Sequence, residues 1–494
     1  MAASKAKTSR HTEIERKFDV IDSTVSPSFE GLSAVARVDR APVQRLDAVY
    51  FDTPNHDLAA HHVTLRRRTG GTDAGWHLKL PAGPDTRTEV RAPLGDADDE
   101  AVPDDLKDIV LAIVRNRPLA PVAKISTYRT VTVLYDADGS PLAEFSDDQV
   151  TASAVEGEQQ QWREWELELA EGADASDGLL DRLSNRLQDA GGVPAGHGSK
   201  LARVLASDND EATQPPDDPI HRAVAEQIDE LIEWDRAVRA DVDDSVHQMR
   251  VTTRKIRSLL QSSEEAFGIS DDAWVLDELR QLAAVLGVAR DAEVLAQRYE
   301  EALNELPGEL VRGPVRKRLI EGAKRRYKSG LRRSLIAMRS ERYFRLLDAL
   351  DGLVAAEPVQ TTDDGESKTA TVGSAYKRVR KAAKNAADAA ETDRDEALHR
   401  IRKGAKRLRY TAAATGADKV SDRAKSIQSL LGDHQDSVVS RTHLVQQAEA
   451  AHAAGEDTFT YGLLYAREDA VARDARGRLD KALKKLDKSV RKAR

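Results

Sequence analysis

The pattern that most limits the possible folds is a change of period near residue 206. Before it, polar and apolar residues alternate in short runs, as half-buried strands require. From about Ile220 onward they recur at helical spacing, with abundant Ala, Leu, Arg and Glu. Between the two lies SDNDEATQPPDDP, residues 207–219, which is acidic, Pro-rich and without apolar periodicity, as a linker would be. The 494 residues are therefore expected to form an α+β multidomain chain, with a β-rich domain over 1–206 and an all-α domain over 220–494. A second break near residues 354–372 divides the helical part into stretches of about 220–353 and 373–490.

Eight segments of the first domain read as strands: EIERKFDV, QRLDAVYFD, VTLRRRT, WHLKLPA, RTEVRAP, ISTYRTVTVLY, PLAEFSDDQVTA and WREWELELA. Eight are enough to close an antiparallel barrel, and an open sheet fits the same pattern. Helices are expected near PSFEGLSAVA, near DDLKDIVLAIV and at GLLDRLSNRLQDAG.

Residues two apart on a strand share a face. Glu13, Glu15 and Lys17 therefore fall together, as do Arg66 with Arg68, His77 with Lys79, and Arg87 with Glu89. Lys124 and Arg129 follow on one strand and Glu144 on the next; Glu164, Glu166 and Glu168 alternate with Trp165, Leu167 and Leu169 on the last. Each pair alone fits an ordinary solvated face. Turned into a closed sheet, the same residues would line a charged interior, which is costly unless charges are paired or occupied by a ligand. Carboxylates with a hard cation such as Mg²⁺ or Mn²⁺, facing Arg and Lys, suit a polyanionic phosphate substrate.

Composition removes several alternatives. There is no cysteine, so disulfides, thiolate catalysis and Cys-ligated metals are excluded. No apolar run is long enough for a membrane span, and the leader MAASKAKTSRH lacks the apolar core of a signal peptide, so a cytoplasmic protein is expected. The net charge of −9 hides an asymmetry. Residues 1–205 hold 24 Lys+Arg against 34 Asp+Glu, residues 206–245 hold 3 against 13, and residues 246–494 hold 48 against 37. The last part, net +11, could attract an anionic polymer.

That basic part repeats. His247 is followed by Arg250, Arg254, Lys255 and Arg257; His399 is followed at the same offsets by Arg402, Lys406, Arg407 and Arg409. LGVARD, Leu286 to Asp291, then matches LGDHQD, Leu431 to Asp436, with Arg290 replaced by Gln435 and His434 beside it. On a helix the His and the basic residues three, seven and ten positions on form one stripe. Further basic runs, VRGPVRKRLIEGAKRRYKSGLRRS and SAYKRVRKAAKNA, contain almost no acid. Ion-paired solvated helix faces would give a similar pattern. Scarce aromatic residues, 4% of the chain, and no base-reading motif argue against nucleic acid.

Glu13-Ile-Glu15-Arg-Lys17, followed in order by YFDT, TLRRR, WHLKLP, an R-x-E strand, a late E-x-E-L strand and Ser199-Lys200, resembles the CYTH family of triphosphate tunnel metalloenzymes over roughly residues 11–206. The resemblance implies an eight-stranded antiparallel tunnel. It implies metal-binding carboxylates at Glu13, Glu15, Glu166 and Glu168, aided by Glu144, with Glu13, Glu15, Lys17, Glu166 and Glu168 as the catalytic set. It implies triphosphate contacts from Lys17, Arg66, Arg68, Lys79, Arg87, Lys124, Arg129 and Lys200, with Mg²⁺ or Mn²⁺ as cofactor. Residues 220–490 resemble the CHAD domain. That implies two related four-helix bundles and a polyphosphate-binding groove involving His247, Arg250, Arg254, Lys255, Arg257, His399, Arg402, Lys406, Arg407 and Arg409, with association to polyphosphate granules. The expected activity is hydrolysis of inorganic triphosphate or a related triphosphate. A non-catalytic polyphosphate scaffold, a thiamine triphosphatase and an adenylate cyclase are the alternatives.

Overall fold

The structure is a computed structural model that describes residues 8–95, 101–155, 157–173, 178–206, 216–270, 273–356, 372–390 and 393–493. The first seven residues of the leader, linker residues 207–215 and residues 357–371 of the second break lie outside them. By packing, the chain forms two compact units, Met1–Ala283 with Leu335–Pro358, and Ala284–Ser334 with Val359–Arg494.

The β region contains β1 (Ser9–Val20), β2 (Arg37–Arg40), β3 (Gln44–Asp52), β4 (Thr64–Thr69), β5 (Gly75–Gly83), β6 (Thr86–Ala92), β7 (Ala120–Tyr135), β8 (Pro141–Ala154), β9 (Gln160–Leu169) and β10 (Val193–Pro194). The antiparallel order β1-β6-β5-β4-β3-β7-β8-β9 returns to β1, closing an eight-stranded barrel. All eight expected strands are its staves. The two short strands β2 and β10, not expected from sequence, pair with β7 and β1. Closure runs through β1, whose first half pairs with β6 from Ser9 to Ile14 and whose second half pairs with β9 from Glu15 to Val20.

The barrel is apolar outside and charged inside. Phe18, Leu134, Phe145, Trp165 and Leu167 point outward and are buried under α4 (Leu179–Asp189). The connector after β1 completes this cover. A helix was expected at PSFEGLSAVA, but residues 27–36 form turns instead. Gly31 adopts φ +84°, and Phe29 packs on Phe145 with ring centroids 5.2 Å apart. Burying one aromatic ring outweighs the weak helical propensity of the segment.

Three short helices, α1 (Asp57–Ala60), α2 (Asp104–Ile109) and α3 (Leu111–Val114), lie in the loops, and α5 (Lys200–Leu205) follows the last strand. Asp52 of YFDT is fully buried and accepts hydrogen bonds from the amides of Thr53, Leu58 and Ala59, so this motif acts as a helix cap. Helix α5 packs Leu201 and Val204 against the inward-facing Ala48, Tyr50, Ile125, Val150 and Ala152.

The helical part comprises α6 (Pro219–Arg239), α7 (Ser245–Ser262), α8 (Glu264–Phe267), α9 (Trp274–Asn304), α10 (Gly322–Met338), α11 (Glu341–Ala355), α12 (Val372–Ala387), α13 (Arg394–Ala414), α14 (Asp418–Ala453) and α15 (Phe459–Lys492). The linker's last residues start α6: Asp218 accepts from the amides of Ile220 and His221, and Pro219 occupies the first turn. Helices α12 to α15 share one core built on Val379, Ile401, Leu408, Ile427, Leu431, Leu479 and Leu486. The helices of residues 219–355 divide between the two compact units, so an equivalent bundle is not drawn from them.

Within the first unit the barrel is docked on α6 and α11. Arg115, itself buried and at φ +59°, pairs with Asp348 and Asp351 of α11. Arg239 and Arg339 both pair with Asp108 of α2, at 3.1 and 2.8 Å. Such left-handed backbone in a non-glycine residue costs about 1–3 kcal/mol and persists where contacts over-determine it.

In the second unit α9 and α10 approach so closely that only glycine fits at residue 330. A Cβ there would lie 2.7 Å from the amide nitrogen of Ala289 and 2.8 Å from its Cα, both backbone atoms of the LGVARD segment. Gly330→Ala should therefore destabilise the protein by about 1–3 kcal/mol. Gly477→Ala on α15, where a Cβ meets nothing within 4 Å, should be neutral or stabilising by up to about 1 kcal/mol. Thermal or denaturant unfolding of the two variants checks the contrast.

Candidate functional site

The register assembles the inward charges in rows. Across β1, β9 and β8 the pairings place Glu15, Glu168 and Glu144 in one row and Lys17, Glu166 and Ser146 in the next. Asp19, Glu164 and Asp148 form the third. Opposite them, Tyr50 faces Arg66, Arg66 faces His77, Lys79 faces Glu89, and Glu13 faces Arg87.

One end of this interior is an ion-paired knot. Lys200 Nζ lies 2.9, 2.6 and 2.7 Å from carboxylate oxygens of Asp148, Glu164 and Glu166. Arg129 bridges Asp148, at 2.6 Å, and Glu166. Among the described residues, Asp148, Glu164 and Glu166 are the one group of three carboxylates with oxygens within 4.8 Å of one another, a buried acidic cluster able to hold a metal. Burial opposes the Glu166 charge, but Lys200, Arg129 and Lys17 hold its pKa well below the usual carboxylate value. A cation entering here would have to displace Lys200.

The neighbouring part holds Glu13, Glu15 and Glu168 close together. Lys79 Nζ pairs with Glu13 Oε2 at 2.6 Å, and Arg91 lies 3.8 Å from the other Glu13 oxygen. Glu15 pairs with Lys17 and lies 3.5 Å from Arg87 Nε. Despite burial, Lys79 and Lys17 lower the Glu15 pKa to about 2. By contrast, burial and the Glu13 charge push Glu168 up to about 7, and burial with Glu89 pushes Glu13 upward. The donors here are all carboxylate oxygens, which suit a hard divalent cation. Lys17, Lys79, Arg87 and Arg91 stand within 4 Å of Glu13 or Glu15, whereas Glu168 has no ion pair among the described residues.

In the third region two inward guanidiniums, Arg66 and Arg68, stand close together. Arg66 lies 3.3 Å from the Tyr50 hydroxyl and 3.8 Å from Glu89; Arg68 pairs with Asp73. Burial, then the like charges of Arg66 and Arg129, push the Arg68 pKa down to about 9. His77 Nδ1–H donates to Glu89 Oε1 at 2.7 Å, and burial lowers the His77 pKa to about 4.

Of the expected tunnel residues, the barrel brings together Glu13, Glu15, Lys17, Arg66, Arg68, Lys79, Arg87, Arg129, Glu166, Glu168 and Lys200. Glu144 shares their face but is exposed. Lys124 is not brought to them. It is exposed and five residues from Arg129 on a strand in regular register, so period two sets it on the outer face. Glu89 lies in the interior beside Arg87 as its spacing required, while Asp148 and Tyr50 belong to the interior and were missed. The signal for Asp148 was its even separation from Glu144 in PLAEFSDDQ.

In the helical part the expected stripes flank buried seams. On α7, His247, Arg250 and Arg257 are half-buried and Arg254 and Lys255 exposed; Arg250 Nε donates to the Ala283 carbonyl at 3.2 Å, and Lys255 lies 3.4 Å from Glu230. On α13, His399, Arg402, Lys406 and Arg409 are half-buried and Arg407 exposed. Burial and then Lys403 and Arg402 lower the His399 pKa, and its Nδ1 lacks a hydrogen bond, so a cationic His399 is disfavoured. Arg402 passes over Gly432 and acts on Asp436, joining the H-x-x-R and LG-x-x-x-D motifs. Where the repeats differ, Arg290 pairs with Glu293, whereas His434 is buried, with Nε2 3.5 Å from Asp395.

A separate basic cavity of about 350 Å³ is lined by Arg318, Gly322, Arg325, Arg326, Ser329 and Gln447. It opens where a π-helical turn, Lys317–Glu321, runs into α10, and π-turns are frequent at functional sites. Arg326 donates to His443 Nε2, which leaves Nδ1–H to donate to the Tyr299 hydroxyl at 2.8 Å. The acid-poor run GAKRRYKSGLRR thus holds pocket residues that the histidine stripes did not indicate.

The knot yields a prediction. Lys200→Met leaves three buried carboxylates short of one cation and should cost about 3–5 kcal/mol at neutral pH. Because Glu166 is depressed in the native state, the wild type should lose stability as pH falls below the ordinary carboxylate pKa. The variant should lose less over that range, so denaturant midpoints of the two proteins should converge in acid.

Comparison with known proteins matches the same two regions. The CYTH domain model matches residues 11–185 and the CHAD domain model residues 222–445. The chain is 64% identical over 505 aligned positions, 98% of each chain, to Uncharacterized protein Rv2226 of Mycobacterium tuberculosis (strain ATCC 25618 / H37Rv). The same values hold for Uncharacterized protein MT2285 of strain CDC 1551 / Oshkosh. Among solved structures, PptA from Streptomyces chartreusis aligns with 55% of this chain and 100% of its own, at 19% identity and TM-score 0.45. The CHAD domain from the plant Ricinus communis aligns with 53% and 90%, at 22% identity and TM-score 0.41. With an eight-stranded charged tunnel followed by a basic helical region, and with both domain models matched in that order, the chain belongs to the CYTH–CHAD family.

Proposed function

We propose that the tunnel is a divalent-metal-dependent triphosphatase acting on inorganic triphosphate or a related triphosphate, and that the helical part binds polyphosphate in the cytoplasm. The observation that carries this reading is the separation of crowded carboxylates from crowded guanidiniums within one barrel. Glu13 and Glu168 are pushed toward the protonated state where carboxylates crowd, and Arg68 is pushed toward the neutral state where guanidiniums crowd. A cation relieves the first and a polyanion the second, so a metal–triphosphate pair satisfies both ends at once.

Glu13, Glu15 and Glu168 would hold Mg²⁺ or Mn²⁺. When bound, the metal supplies charge neutralisation at phosphate oxygens. Arg66, Arg68 and Arg129 present forked donors to the phosphate chain, with Lys17, Lys79 and Lys200 as point charges. Arg87, tied to the Gly198 carbonyl at 2.9 Å, fixes the loop before α5 and so the position of Lys200. In the hydrolysis, water attacks the terminal phosphorus and the bridging P–O bond breaks, releasing orthophosphate and diphosphate. Positioning and charge account for most of the catalysis in such a transfer. For the helical part, the support is the cavity of Arg318, Arg325 and Arg326, in which Arg318 pairs with Glu456 and Arg325 lies 3.8 Å from Glu321, together with the half-buried stripes of α7 and α13.

The test is phosphate release from inorganic triphosphate, thiamine triphosphate, ATP and long-chain polyphosphate with Mg²⁺ or Mn²⁺. Wild type should release phosphate from inorganic triphosphate, and Glu13→Ala/Glu15→Ala should reduce the rate at least about 100-fold. Polyphosphate binding should persist in that double variant and fall in Arg325→Ala/Arg326→Ala. Absence of release from every substrate by the metal-loaded wild type overturns the enzyme reading and leaves a polyphosphate-binding scaffold. Cyclic AMP from ATP would instead identify a cyclase.

A further inference from the structure

A second cavity lies on the outside of the barrel, between its wall and α6. It measures about 520 Å³ and is lined by Arg10 of β1, Leu80, Pro81, Ala82 and Gly83 of β5, Thr88 of β6, and Glu233, Arg236, Ala237, Ala240 and Val242 at the end of α6. Strand parity separates it from the tunnel. Lys79, Arg87 and Glu89 point inward, so Leu80 and Thr88, which face each other across β5 and β6, point outward. Arg10 stands an odd number of residues from the inward Glu13 and Glu15 in regular register with β6, and it too faces out.

Two guanidiniums meet in this cavity from opposite sides, one from the barrel and one from α6. Neither Arg10 nor Arg236 has an ion pair among the described residues, whereas Arg239, three residues further on, is fully engaged with Asp235 and Asp108. Arg236 is half-buried, and burial lowers its pKa, with a smaller contribution from the Arg10 charge, against Glu233 and Asp235. The rest of the wall is apolar apart from the Glu233 carboxylate and the Thr88 hydroxyl.

From this arrangement we infer that the cavity is a binding site for a small organic phosphate: a phosphomonoester held by Arg10 and Arg236, with an apolar or aromatic body against Leu80, Pro81, Ala237, Ala240 and Val242. Charge selects the head group. With Glu233 on the wall offsetting part of their charge, the two guanidiniums still offer more forked donors than a carboxylate's two oxygens can take, and the three terminal oxygens of a phosphomonoester suit them. Volume selects the body, because a bare phosphate would leave most of the cavity unfilled and its apolar wall wet. The floor of the site is the reverse side of the strands that carry Lys79, Arg87 and Glu89, so an occupant there packs against residues adjacent to the tunnel's charges.

The test is calorimetric titration of the full chain with phenyl phosphate and AMP, with orthophosphate as the headgroup control. Wild type should bind phenyl phosphate or AMP at least 10-fold more tightly than orthophosphate. Arg236→Ala and, separately, the exposed Arg10→Ala should each weaken that binding at least 10-fold, with unchanged circular dichroism. Arg66→Ala, which disables the tunnel's phosphate face, should leave it unchanged. The proposal fails if neither compound binds, if orthophosphate binds equally well, if both arginine variants bind like wild type, or if Arg66→Ala abolishes binding. Because Arg66→Ala reports on the tunnel alone, failure here is distinguishable from failure of the triphosphatase reading.

Discussion

Everything in the first compact unit depends on keeping charge inside a closed sheet. Moving an ion from water into a protein interior costs several kcal/mol even after relaxation, and a barrel interior is ordinarily filled with apolar side chains. Here apolar burial is transferred to the outer surface. Phe18, Phe145, Trp165 and Leu167 pack under α4 and the connector carrying Phe29. The interior persists because its ions pair in rows fixed by strand register, with Lys200 and Arg129 neutralising Asp148, Glu164 and Glu166. Such a lumen stays wet or holds a ligand, which is what makes it a site.

Pairing differs along the interior, with two cations, Lys200 and Arg129, inserted among three carboxylates in the knot. The tightest acidic cluster, Asp148, Glu164 and Glu166, already holds the Lys200 ammonium and the Arg129 guanidinium, and the metal site proposed above lies beside it. Glu13, although 2.6 Å from Lys79, and Glu168 sit buried among other carboxylates, and burial with those like charges raises both pKa values. In the second unit, the histidine and LG motifs meet through Arg402, Gly432 and Asp436. These repeated residues therefore build the helix packing as well as its basic edge, and the basic cavity beside α10 draws on different residues.

Much of the barrel was legible because period two is a strict rule. Eight alternating segments became eight staves, and Glu13, Glu15, Arg66, Arg68, Lys79 and Glu166 fell inward as their spacing required. The same rule, applied consistently, would have moved Lys124 outward and brought Asp148 in, since both follow from counting along β7 and β8. Other features depend on tertiary contacts that spacing does not encode. The segment around Phe29 gave up a helix to bury one ring, Lys200 reached the lumen from a helix after the last strand, and the division of α9 and α10 between two compact units left no trace in periodicity.

The central claim is that one barrel separates a cation face from a phosphate face. The direct measurement is a crystal structure of the protein soaked with Mn²⁺ and a non-hydrolysable imidotriphosphate, using anomalous scattering to locate the metal. The account predicts an anomalous peak among Glu13, Glu15 and Glu168, with phosphate density against Arg66, Arg68 and Arg129. Metal bound among Asp148, Glu164 and Glu166 with Lys200 displaced, or phosphate density confined to the outside of the barrel, would contradict it.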